Sequence, residues 1–197
     1  MTTPPDFSPP VLLDELLCGH DDRAEIAAQT IGTLGPAGFD LIQPLCADPR
    51  ADHRWWAART LSQLRSEAAT QALIALLVDL DSDVRACAAF ALGEAQTDQA
   101  IEPLARLLAD SSVFVSAMAS DALARIGRLS VPTLIDRLRK GTGLERARAA
   151  KALLAILDAR SIPALIAALD DDSPVVQHYA SEALTRLGVG TVLIKPL

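Results

Sequence analysis

Aromatic residues are scarce in this 197-residue chain, at 4%: two tryptophans, one tyrosine and four phenylalanines. Alanine and leucine dominate instead, with 35 and 31 residues. Strands draw on Val, Ile, Thr and aromatics, whereas Ala and Leu are strong helix formers, so an all-β fold is excluded. Cysteine is sparse too. Cys18, Cys46 and Cys87 form no CxxC pair, and an odd count closes no complete disulfide framework. Reduced thiols in a cytoplasmic protein are the expectation. His20, His53 and His178 lie far apart with no HExxH spacing, so no metal site is expected. No glycine-rich phosphate loop and no G-x-S-x-G elbow occurs, and no cofactor is implied. No apolar run approaches the ~20 residues that span a bilayer. The opening MTTPPDFSPP lacks both a positive charge and an apolar core, which argues against a secretory signal. Its prolines predict an extended lead-in over residues 1–9. A net charge of −7 argues against a dedicated nucleic-acid or membrane-surface binder. Half of the residues are hydrophobic, which excludes disorder as the main state.

What is present is a repeat. A column of small residues reads Ala27, Ala57, Ala88, Ala119, Ala149, Ala180, in steps of 30 or 31. Four places on stand Ile31, Leu61, Leu92, Leu123, Leu153 and Leu184. Spacings of three and four put such positions on one helical face. An upstream stripe keeps the same step: Leu12, Ile42, Leu73, Leu104, Leu134, Leu165. The unit is therefore a helix–turn–helix of roughly 30 residues, repeated six times over 10–188. First helices are predicted near 10–18, 40–47, 71–78, 102–109, 132–139 and 163–170. Second helices are predicted near 22–34, 51–64, 82–95, 113–126, 143–156 and 174–187. Between them runs an acidic column, Asp48, Asp79, Asp110 and Asp171, broken by Lys140 in the fifth repeat. An aspartate there can cap the second helix or brace the turn. Gly35, Gly127 and Gly188 follow second helices, as C-terminal caps do. A single pair cannot bury its own apolar faces, so neighbours must stack. The expected fold is all-α, an α-α superhelix forming one domain over 10–188. Residues 189–197 begin the cycle again, as a partial seventh repeat or a C-terminal cap. An exposed end of such a stack favours self-association.

The best repeat, DLDSDVRACAAFALG from Asp79 to Gly93, resembles the short bacterial HEAT repeat known as the phycobilisome-lyase HEAT-like repeat. The resemblance extends over about residues 10–188, and the residues that carry it (Val84, Ala88, Leu92) are packing positions, with Arg85 expected to brace the next turn. It implies a HEAT-like solenoid whose second helices line a concave side. It also implies two function classes. One is a non-enzymatic protein–protein interaction scaffold. The other is a phycobilin lyase subunit or a bilin-handling chaperone, partnered by a phycobiliprotein or a second HEAT subunit. The chain shows no catalytic constellation, which leans against an enzyme. The paired His-Glu motifs of the related deoxyhypusine hydroxylases are absent.

Candidate partner-binding positions are those that the period places on the open face of the second helices: Trp55, Arg59, Phe90, Asp121 and Lys151. Trp55 has two readings, an interface anchor with Arg59 one turn on, or a side chain folded over the core edge. Trp56 and Cys87 sit one place nearer the core, where packing between repeats competes with a ligand groove. Charge is uneven as well. Residues 121–160 carry nine basic and four acidic groups, centred on Arg137, Arg139, Lys140, Arg146 and Arg148. That block is either a dock for an acidic partner or a set of intramolecular ion pairs.

Overall fold

The computed structural model describes residues 8–189. The lead-in expected over 1–9 and the partial repeat expected over 189–197 fall almost wholly outside the described residues. Two compact units emerge, Met1–Ala95 and Gln96–Leu197. In the first, helices pair as α1 (Pro9–Leu16) with α2 (Asp21–Gly32), α3 (Pro36–Ile42) with α4 (Ala51–Leu64), and α5 (Glu67–Leu76) with α6 (Ser82–Ala95). In the second, α7 (Ile101–Arg106) pairs with α8 (Val113–Ile126), α9 (Val131–Lys140) with α10 (Gly143–Ile156), and α11 (Ile162–Ala167) with α12 (Pro174–Arg186). No strand occurs among the described residues.

Within each unit the second helices stack on one another, α2 on α4 on α6, and α8 on α10 on α12. The alanine column makes this possible. All six of its members are 2% exposed or less, and the Ile/Leu column four places on is buried throughout. Small side chains let helix axes approach toward the lower end of the usual 8–10 Å range, and the leucines fill the space beside the seam. At Gly32 the approach is closer still, since a Cβ there would lie 2.4 Å from Gln63 Cβ. The upstream leucine stripe is likewise buried, which sets the first helices against the same core.

Second-helix boundaries follow the hydrophobic period closely, with 51–64, 82–95, 113–126 and 143–156 as predicted. Four first helices start within one residue of the predicted positions, at Pro9, Ile101, Val131 and Ile162, and two depart. Helix α3 starts at Pro36 and α5 at Glu67, each earlier than predicted, because starting signals override the leucine spacing. Pro36 takes the first helical position, where its missing N–H costs nothing. The Ser66 hydroxyl accepts the Ala69 amide at 3.2 Å and caps α5. Three first helices finish in 3-10 turns, at Gln43–Ala47, Leu107–Ala109 and Ala168–Asp170, which tighten the chain into the next helix.

Candidate functional site

The acidic column braces turns and does not cap helices directly. Asp48 Oδ1 accepts the Arg50 amide, Asp79 Oδ1 the Asp81 amide, and Asp110 Oδ1 the Ser112 amide, each at 2.8 Å; Asp171 Oδ1 accepts the Ser173 amide at 2.9 Å. Each carboxylate thus closes a short loop two residues long, just ahead of its second helix. Arginines then tie repeats together. Arg54 on α4 reaches forward to Asp79 and also donates to the Asp48 carbonyl at 2.8 Å. Arg146 on α10 does the same to Asp171 and donates to the Gly141 carbonyl at 3.1 Å. Arg85 donates to the Asp79 and Leu80 carbonyls, within the turn of its own repeat. The paired guanidinium holds the Asp79 carboxyl below the usual carboxylate range.

Much of the basic block is spent in such pairing. Lys140 meets Asp136 at 2.6 Å, Arg137 lies 3.4 Å from Glu145 and 3.6 Å from Glu102, and Arg146 takes Asp171 and Asp172. Arg148 donates to the Val113 carbonyl at 3.1 Å. Arg139 is exposed, and no ion pair reaches it among the described residues. Nearby, Asp158 is buried against Arg128 and Arg160, and the Arg160 guanidinium leads in pushing its carboxyl far below the ordinary range.

The partner-binding candidates divide between the two units. In the second, Asp121 and Lys151 pair with each other at 2.8 Å. In the first, Phe90 is 42% exposed. Trp55 is half-buried and stands edge-to-face with Trp56, the ring centroids 4.9 Å apart. Arg59 lies one turn beyond Trp55 on α4 and grips Glu25 of α2, with Nε 3.0 Å from Oε2 and Nη2 on Oε1. Both tryptophans line a concavity of about 380 Å³, shared with Asp21, Asp22, Glu25 and Asp52. Sequence reasoning singled out Trp55 and Arg59 but missed Asp21, Asp22 and Asp52. Those three belong to the first turns of α2 and α4, where acids are common for the helix dipole alone. Only the stacking of α2 on α4 gathers them around the indoles.

The remaining chemistry is subdued. Burial raises the Cys87 thiol to about 12 and the Cys46 thiol to about 11, which removes both as nucleophiles near neutral pH. Among the described residues no group of three or more His, Cys, Asp or Glu side chains is arranged to hold a metal ion. No described helix is long and apolar enough to cross a membrane.

Comparison with known proteins fits this architecture. The family described as HEAT repeats matches residues 9–86 and 70–153, and the PBS lyase HEAT-like repeat matches residues 145–171. No curated protein matches the sequence. Among solved structures, the Escherichia coli protein YibA superposes with a TM-score of 0.64 at 20% identity, over 93% of this chain and 72% of that one. The CpcE–CpcF complex of phycocyanin lyase from Nostoc sp. gives 0.55 at 21% identity, over 95% of this chain and 79% of that one. A designed armadillo repeat protein in complex with the peptide (KR)4 gives 0.52 at 19% identity, over 90% and 98%. At these identities the likeness is one of fold: an all-α, armadillo- or HEAT-like solenoid.

Proposed function

Since this chain belongs to the HEAT-repeat family, we propose that it is a non-enzymatic scaffold that binds a protein partner on the face of its second helices. The observation that carries this reading is the concavity around Trp55 and Trp56. Elsewhere, side chains of the candidate site are spent on holding repeats together, as in Arg54–Asp79, Arg146–Asp171 and Lys151–Asp121. The two tryptophans instead keep indole surface at an opening, and large aromatics flanked by arginine are the composition of interface hot spots. Repeat stacks suit this role because each repeat adds surface without altering the core.

A second reading is favoured by one observation, the match of the PBS lyase HEAT-like repeat at residues 145–171. Under it the chain is a subunit of a bilin lyase, or a bilin-handling chaperone that works with a second HEAT subunit. The structural likeness to the CpcE–CpcF complex supports the fold on which that reading rests.

A paired pull-down separates the two. The baits are the wild-type chain and the Trp55→Ala/Phe90→Ala variant, matched for folding by circular dichroism. A protein held by the wild type and lost by the variant supports the scaffold. A coloured biliprotein in the eluate, with a visible absorbance change on mixing with free bilin, favours the lyase reading. Equal catches from both baits sink the second-helix face as the binding surface.

A further inference from the structure

We infer that the groove between the first turns of α2 and α4 receives an arginine- or lysine-bearing segment of a protein partner. This rests on the scaffold reading and names the chemistry of what the scaffold takes. The groove has two tryptophans and four carboxylates along its walls, those of Asp21, Asp22, Glu25 and Asp52. Its volume, about 380 Å³, falls at the small end of the ~300–1,000 Å³ typical of ligand pockets.

The charges leave room for a cation. Glu25 is anchored by Arg59, which orients its carboxylate and offsets one negative charge. Asp52 has Arg50 at 3.9 Å, with both side chains well exposed, a loose pair that a better partner can displace. Asp21 and Asp22 have no cation within ion-pair distance among the described residues. Four carboxylates against two arginines leave a deficit of two positive charges. The two helix N-termini supply about half a positive charge each, so the groove stays negative. The surrounding unit reinforces this, since residues 1–95 carry 14 acidic and six basic side chains, a net −8, while residues 96–197 carry 11 and 12, a net +1.

Helix-dipole complementarity explains why acids stand at these two N-termini. It does not explain why Trp55 and Trp56 line the same space. An anionic ligand is repelled there, and an apolar one would strip water from the carboxylates without replacing its hydrogen bonds. A guanidinium or ammonium satisfies both walls at once. It pairs with the carboxylates and lies against an indole face, where cation–π attraction is strongest. Arginine suits the site better than lysine, because its planar fork binds a carboxylate through two hydrogen bonds while its face stacks on a ring.

The test uses fluorescence anisotropy with a labelled octa-arginine peptide and a labelled octa-glutamate control, at physiological ionic strength. The wild-type chain is expected to bind the first and not the second. Asp21→Asn/Asp22→Asn is expected to weaken binding about tenfold or more. Asp14→Asn/Asp40→Asn removes the same charge from exposed sites outside the groove and is expected to change affinity by less than about threefold. Trp55→Ala is expected to weaken binding as the carboxylate variant does, with Trp55→Phe recovering part of it. Equal losses from the two charge variants would reduce the effect to general attraction and overturn the proposal. So would failure of the wild type to bind octa-arginine, or full binding by Asp21→Asn/Asp22→Asn. These outcomes leave the pull-down of Trp55→Ala/Phe90→Ala to judge the scaffold reading separately.

Discussion

Arg54 in the second repeat holds both carboxylate oxygens of Asp79 in the third, with Nε at 2.7 Å and Nη2 at 2.8 Å. Both side chains are largely withdrawn from solvent, at 14% and 8% exposure. Arg146 and Asp171 repeat the arrangement three repeats later, in the second unit. The fourth repeat has Ser116 at the arginine position and the fifth has Lys140 at the aspartate position, so both members of that rung are missing together. This linked loss is what a pairwise rung predicts, because either partner alone leaves a poorly compensated charge.

Asp79→Asn should therefore destabilise the fold by about 1.5–3 kcal/mol, the range for hydrogen bonds to charged groups. Arg54→Met should cost a similar amount, and the double variant less than the sum. The depressed Asp79 pKa sets the sign with pH. Its contribution is present in full above the ordinary carboxylate pKa and is lost as pH falls through the depressed value. Urea unfolding of the four species at pH 7 and at acid pH checks this. Strict additivity at pH 7 would mean that the rung does not couple the repeats.

Leu92 is fully buried on α6. Leu92→Ala should cost about 2–5 kcal/mol as a core truncation. Chemical denaturation measures it, and a cost below about 1 kcal/mol would mean that the helix collapses easily onto its neighbours there.

The second helices were legible in the sequence because one residue class per column decides them. Ala57, Leu61 and Leu64 are all buried on one face, and spacings of four and then three suit a helix and not a strand. First helices were less legible, since Pro36 and the Ser66 cap start α3 and α5 ahead of their leucines. The candidate site was legible only in part. Trp55 stood out as a large aromatic at a position the period leaves open. Asp21, Asp22 and Asp52 did not, because acids in a first helical turn have a local reason to be there. Ion pairing was hidden for a different reason. Arg59 and Glu25 are 34 residues apart, and Lys151 and Asp121 are 30 apart, so the partners meet only once repeats stack. The run of basic residues around the fifth repeat stood out, while the pairings of Arg137 with Glu102 and Arg146 with Asp171 depended on that stacking.

Thiol chemistry gives a third test. Burial holds Cys87 near 12 and Cys46 near 11, so at pH 8 almost no thiolate is present at either. In the native protein an aromatic disulfide reagent at pH 8 should titrate no more than one thiol quickly, at Cys18. Denaturation should release all three. Rapid native reaction at Cys87 would show that the α4–α6 seam opens on the timescale of the assay.

One backbone position recurs in every repeat. Gly35, Arg65, Gln96, Gly127, Leu157 and Gly188 stand 30 or 31 residues apart, and all have positive φ, from 44° at Arg65 to 79° at Gly188. The turn after each second helix takes a positive φ, in the αL region at Arg65 and Leu157 but with ψ at −126° and −134° at Gly35 and Gly127, a conformation that glycine adopts freely and that costs other residues about 1–3 kcal/mol. At Gly127 a Cβ would meet nothing within 4 Å, so the backbone term alone decides the outcome. Gly127→Ala gains about 0.4–1 kcal/mol from its stiffer unfolded chain, which offsets part of the strain. A net loss of about 1 kcal/mol remains, or about 2–4 °C in Tm for a chain of this length. Arg65→Gly relieves a non-glycine residue held in the αL region at an exposed site, and its Tm should stay level or rise. A Tm that holds or climbs in Gly127→Ala, or falls in Arg65→Gly by as much as Gly127→Ala is expected to lose, would detach stability from the positive-φ turn and leave the recurrence to chance.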